Sequence, residues 1–63
     1  MKVKEVIRQL KEDGWVEVRQ ESSHRTFRKP GMERNVVVNG TDSKEMAPGV
    51  LSKIRRETGL TLR

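Results

Sequence analysis

Val3, Val6, Ile7 and Leu10 recur at i, i+3, i+4 and i+7. That spacing lines four apolar side chains along one stripe of an α-helix. A helix with a single apolar stripe does not stand alone in water; it must lay that stripe on another layer. The rest of a 63-residue chain has to supply the layer, so its elements must be few and short. The pattern predicts a helix over 2–13, with Lys4, Glu5, Arg8, Lys11 and Glu12 on its solvated faces. Glu5 and Gln9, like Arg8 and Glu12, stand four apart, where side chains support one another along a helix. Gly14 follows the last periodic residue, as a left-handed cap requires, and Trp15 sits where the chain folds back on the helix end.

The period then changes. Residues 15–21 alternate as a strand, which puts Val16 and Val18 on one face and Glu17 and Arg19 on the other. A second strand is expected over 24–29, with Phe27 its strongly apolar residue. Pro30-Gly31 marks a turn. A third strand over 34–38 follows, antiparallel to the second because the link is short. The stretch Asn39-Gly40-Thr41-Asp42-Ser43 ends the sheet. A second helix is expected over 48–58. Pro48 suits its first position, Val50, Leu51 and Ile54 form its stripe, and Lys53, Arg55 and Arg56 lie off it. Gly59 is the cap, and Leu60 folds back on the last turn. The order is α-β-β-β-α, an α+β fold. The simplest architecture is a three-stranded antiparallel sheet with both helices on one face and the other face open. This length predicts a single domain over 1–63.

The formal net charge is +5 and the sequence pI about 10.3, so a polyanion is the expected partner: nucleic acid first, an acidic protein second. There is no cysteine, hence no disulfide and no thiolate chemistry, which fits a reducing cytoplasm. No apolar run is long enough for a signal peptide or a membrane span.

Chemistry concentrates in Glu21-Ser-Ser-His-Arg-Thr-Phe-Arg-Lys-Pro30, which holds the only histidine. Strand alternation puts Arg25, Phe27 and Lys29 on one face and His24, Thr26 and Arg28 on the other. With Phe27 under the helices, His24 looks to the open side, in the company of Arg28 and of Arg34 across the hairpin. Histidine exchanges a proton near neutral pH, and RNA cleavage needs that together with positive charge around the phosphate. On residue chemistry alone, His24 is either that proton carrier or a surface residue. Ser23 has no acid placed to complete a Ser-His-Asp arrangement. A lone histidine without cysteine has no metal-ligand spacing, and no cofactor is expected.

Gly14-Trp15, Ser23-His24 and Phe27 fall in register with the motif of the HicA family of small toxins from bacterial toxin–antitoxin pairs. The later stretch has Gly49, Leu51, Ile54, Gly59 and Leu60 at the positions of the family's closing helix, G-x-L-x-x-I-x-x-x-x-G-[LI]. The chain resembles that family over essentially its whole length. The resemblance implies a fold similar to double-stranded-RNA-binding domains. It also implies an endoribonuclease that cleaves mRNA, with His24 as the essential histidine and a HicB-type antitoxin that covers it. Two positions depart from the pattern. Ser22 stands where the family has glycine, and a positive φ there costs serine more than glycine. Arg25 stands where a second histidine is frequent.

On this reading His24 is the general base on the 2′-hydroxyl, or the acid in the second step, without a metal. Arg28 and Arg34 hold the scissile phosphate. Arg25, Lys29, Lys53 and Arg56 bind flanking backbone, and the N–H groups around Gly49 offer a further phosphate seat. The alternative is a non-catalytic RNA-binding module of the same fold, gripping A-form RNA by shape and phosphate contacts. A third reading is a protein-interaction domain whose basic surface meets an acidic partner.

Overall fold

The computed structural model describes residues 1–63. The first helix, α1, runs Val3–Glu12 and buries Val3, Val6, Ile7 and Leu10, the stripe its periodicity requires. Lys2 precedes it and offers no side-chain cap. The free N–H groups of its first turn are met instead by a distant loop: Val3 N–H donates to the Lys44 carbonyl at 2.9 Å and Lys4 N–H to that of Asp42 at 3.1 Å. A helix start is thus satisfied by backbone from about 40 residues away in sequence rather than by its own flank. At the other end, Gly14 has a φ of +101°. Its N–H donates to the Lys11 carbonyl and that of Trp15 to Leu10. This pair of reversed bonds closes the helix and drops Trp15 into the core beside Leu10.

Three strands follow: β1 (Val16–Glu21), β2 (His24–Arg28) and β3 (Val36–Asn39), then helix α2 (Pro48–Thr58). The sheet is antiparallel in the order β1-β2-β3. Phe27 at the middle of the sheet is fully buried, as are Val36 and Val38 of β3. These meet the α1 stripe and Leu51 and Ile54 of α2 in one core, joined by Trp15, Met46 and Leu62. The α-β-β-β-α order and the three-stranded sheet therefore stand as the sequence predicts. Pro48 opens α2 and Gly59 closes it in the left-handed conformation, with its N–H on the Arg55 carbonyl at 2.8 Å. Val50, expected on the α2 stripe, is instead exposed.

The first strand departs from simple alternation. Glu17 pairs with Phe27, whereas Arg19 pairs with Thr26, so Val18 is an extra residue, a β-bulge. Glu17 and Arg19 therefore do not share a face, contrary to the alternating pattern. Glu17 lies on the helix side with Phe27, and Arg19 lies on the open side with Thr26. The bulge reconciles two demands. In an unbroken strand Trp15, Glu17, Arg19 and Glu21 would all point one way, and burying Trp15 would carry both Arg19 and Glu21 beneath the helices. One added residue switches the phase between them. Val16 and Val18 are left 58% and 53% exposed. The third strand starts two residues later than expected, so Arg34 and Asn35 precede it.

Glu21 and His24 form the last pair of the β1–β2 hairpin, leaving Ser22-Ser23 as a two-residue turn. Ser22 has a φ of +56°, while Ser23 does not share that sign, the arrangement of a turn whose first central residue is normally glycine. Gly40 N–H donates to the Ser23 carbonyl at 3.1 Å and holds the turn against the end of β3. A left-handed backbone costs a side-chain-bearing residue roughly 1–2 kcal/mol, partly offset because glycine frees the unfolded chain by about 0.4–1 kcal/mol. Ser22→Gly is therefore expected to stabilise the protein by about 0.5–1 kcal/mol, raising Tm by several degrees in a melting curve. An unchanged or lower Tm would show the turn to be unstrained.

Candidate active site on the open face of the sheet

Because Phe27 points under the helices, its neighbours in β2 point away. Pairing then decides what they meet. His24 faces Glu21 of β1 and Asn39 of β3, Thr26 faces Arg19 and Val37, and Arg28 faces Val16. His24 is exposed. It lines a shallow hollow together with Arg19, Glu21, Thr26 and Val37. Within the hollow the Arg19 guanidinium donates to the Glu21 carboxylate. The basic group that stands with the histidine is thus Arg19, which the sequence pattern had put with Glu17. Only the hairpin register, with its bulge, reveals it.

The other basic residues scatter. Arg28 shares the open face, but four residues along a strand is about 13 Å. It lines a separate hollow with Val16, Val18 and Pro30. Arg34 is not across the hairpin from His24. It precedes β3 and lines a groove with Met32, Glu33, Arg56 and Glu57, at the opposite end of the strands from the Glu21–His24–Asn39 row. Strand β3 begins too late and runs the wrong way to carry Arg34 toward the histidine. Arg56 of α2 joins Arg34 there, and Lys53 is exposed on α2, outside the His24 hollow.

Arg25 and Lys29 lie on the helix side and are engaged. Arg25 has only 19% of its side chain exposed and donates to the Asp42 carboxylate at 2.7 Å. Asp42 is the residue whose carbonyl receives Lys4 N–H, so Arg25 ties the sheet to the loop that seals α1. Lys29 donates to Asp13 at 2.9 Å, just beyond the end of α1. The N–H of Gly49, offered as a phosphate seat, stands at the start of α2, whose Val50 and Leu51 N–H groups donate to Ala47.

Two groups have shifted protonation. The Arg8 guanidinium is held above its ordinary value by its hydrogen bond to Glu5, with the charge of Glu12 adding to it. The N-terminal ammonium, donating to Glu45, holds that carboxyl below its ordinary value. Neither belongs to the His24 face. No group of three or more His, Asp or Glu gathers to hold a metal ion, and no helix is long and apolar enough to cross a membrane.

This division of labour has a stability signature. Arg25→Ala removes a charged hydrogen bond and a packed stem, and is expected to cost about 1–2 kcal/mol. Arg19→Ala breaks a pair exposed on both sides and should change stability by less than about 0.5 kcal/mol. Urea midpoints of the two variants check this; equal losses would contradict the assignment.

A family model, that of the HicA toxin of bacterial toxin–antitoxin pairs, matches residues 3–60. Comparison with curated proteins gave no match.

Proposed function

The chain belongs to the HicA family of toxins of bacterial toxin–antitoxin pairs, and we propose that it acts by cutting mRNA, with His24 moving a proton at the scissile bond. The observation that carries this reading is the exposed His24 on an open sheet face, in one hollow with Arg19. A phosphodiester held there would have its charge met by the Arg19 guanidinium, whose planar fork suits phosphate oxygens, while the imidazole gives or takes a proton. Arg28 would hold a phosphate further along the strand, and Arg34, Arg56 and Lys53 would guide more distant backbone. Arg25 and Lys29 could join only by leaving Asp42 and Asp13, so their part in RNA binding is secondary. The reaction calls on no metal or cofactor. The toxin domain is residues 1–63.

The partner in such a pair is an antitoxin, and we take it to be of the HicB type, seated over His24. The open face suits a protein partner because Val16, Val18 and Val37 are each at least half exposed between its basic residues. An acidic antitoxin with apolar contacts would cover all of these together.

Incubation of the purified protein with RNA, with and without chelator, tests the catalytic reading. Wild-type protein should cleave equally in both conditions, and His24→Ala should be slower by roughly 10²–10⁴-fold. Intact RNA with the wild type, or equal cleavage by the variant, would refute it. Salt-sensitive binding without cleavage would point to a non-catalytic RNA-binding module instead.

A further inference from the structure

Cleavage of RNA by its own 2′-hydroxyl moves two protons: one leaves the attacking oxygen and one reaches the departing 5′-oxygen. His24 is the only histidine in the chain. A single imidazole cannot stand on both sides of one phosphorus in the same step. The three strands offer their open face one carboxylate, that of Glu21, and it stands directly opposite His24 in the β1–β2 register. Residues so paired have Cβ atoms about 4.5–5.5 Å apart and side chains rising on the same face. Both line the same hollow, with Arg19. Arg19 donates to the Glu21 carboxylate and so holds it toward the hollow, with further N–H groups left on the guanidinium for a phosphate.

The geometry points to Glu21 as a second catalytic residue, the general base, with His24 as the general acid and Arg19 as the phosphate holder. The assignment rests on the ribonuclease reading above and deepens it. A carboxylate held by arginine is suited to accept a proton, and an imidazole is suited to donate one. The Glu21 carboxylate takes the 2′-hydroxyl proton as that oxygen attacks phosphorus. A bond forms from the 2′-oxygen to phosphorus, the bond from phosphorus to the 5′-oxygen breaks, and the His24 imidazolium gives its proton to the leaving oxygen. The products are a 2′,3′-cyclic phosphate and a 5′-hydroxyl. Glu21 is left protonated and His24 neutral. Hydrolysis of the cyclic phosphate, with His24 taking a proton from water and Glu21 returning one to the 2′-oxygen, restores both.

Two substrates separate the roles. One is a short RNA; the other is a nucleoside 3′-(4-nitrophenyl phosphate), whose nitrophenolate leaves without being protonated. On it the acid is dispensable and the base is not. Glu21→Gln is expected to lose roughly 10²–10⁴-fold in kcat on both substrates. His24→Ala is expected to lose as much on RNA but to recover most of its rate on the aryl ester. Glu21→Asp, which keeps a carboxylate one methylene shorter, should fall between wild type and Glu21→Gln, an ordering that a merely structural glutamate would not produce. Melting curves check that the variants fold. Wild-type rates in Glu21→Gln would overturn the assignment of Glu21 while leaving the ribonuclease reading intact. Recovery of Glu21→Gln rather than His24→Ala on the aryl ester would overturn the base and acid roles. Intact RNA with the wild type would overturn the ribonuclease reading and this assignment with it.

Discussion

The burial of Phe27 organises the molecule. It is one of only two aromatic residues, it sits in the central strand, and it is fully enclosed by the stripes of α1 and α2 and by Val36 and Val38 of β3. A strand has two faces and no intermediate orientation. Once Phe27 is fixed beneath the helices, His24, Thr26 and Arg28 have no choice but the far side. The same contact sets the pairing register, since sliding β2 by one residue would exchange the aromatic ring for a threonine or an arginine in the core. Core packing and site placement are thus two outcomes of one constraint.

The helices and their ends were legible in the sequence because their determinants are local. The spacing of Val3, Val6, Ile7 and Leu10, the glycines at 14 and 59 and the proline at 48 each act within a turn of their own position. His24 was legible for a similar reason: two residues along a strand from an obligate core residue would still face the core, and three away it cannot. What was not legible depended on partners. Arg19 reached the His24 hollow only through a bulge, and a bulge is a property of two strands together. Placing Arg34 beside His24 across the hairpin overlooks the register: Val36 pairs with Phe27 and Asn39 with His24, so Arg34 lies beyond the other end of the strand. The seal on the start of α1 was also invisible, because Lys2 carries no capping group and the carbonyls that replace one come from Asp42 and Lys44.

Part of the charge is paired within the molecule. On the helix side the basic residues that approach the body of the protein have carboxylate partners: Arg25 with Asp42 and Lys29 with Asp13. Arg8 joins Glu5 and Glu12 along α1. Arg28 on the open face, Arg34 and Arg56 in their groove and Lys53 on α2 have no carboxylate partner, and neither do Lys2, Lys4, Lys11 and Lys44 around α1. A net charge read from composition says that a polyanion is attracted. The pairing pattern says which basic side chains are already occupied, Arg25 and Lys29 among them, and which are left to answer it.

The bulge at Val18 makes the length of a segment, rather than the identity of its residues, the quantity under control. Trp15 is anchored to the end of α1, and Glu21 is anchored to the hairpin turn. The five residues between them must bridge an inward and an outward anchor, which an uninterrupted strand of that span cannot do. Removing Val18 would resolve the conflict by removing the bulge, since five steps along an unbroken strand already carry the chain from an inward to an outward anchor. Substitutions within the bridge leave the parity alone. The histidine's surroundings thus depend on the spacing of Arg19 and Glu21 from the turn, and the residue at Val18 serves as the step that lets this spacing coexist with a buried Trp15.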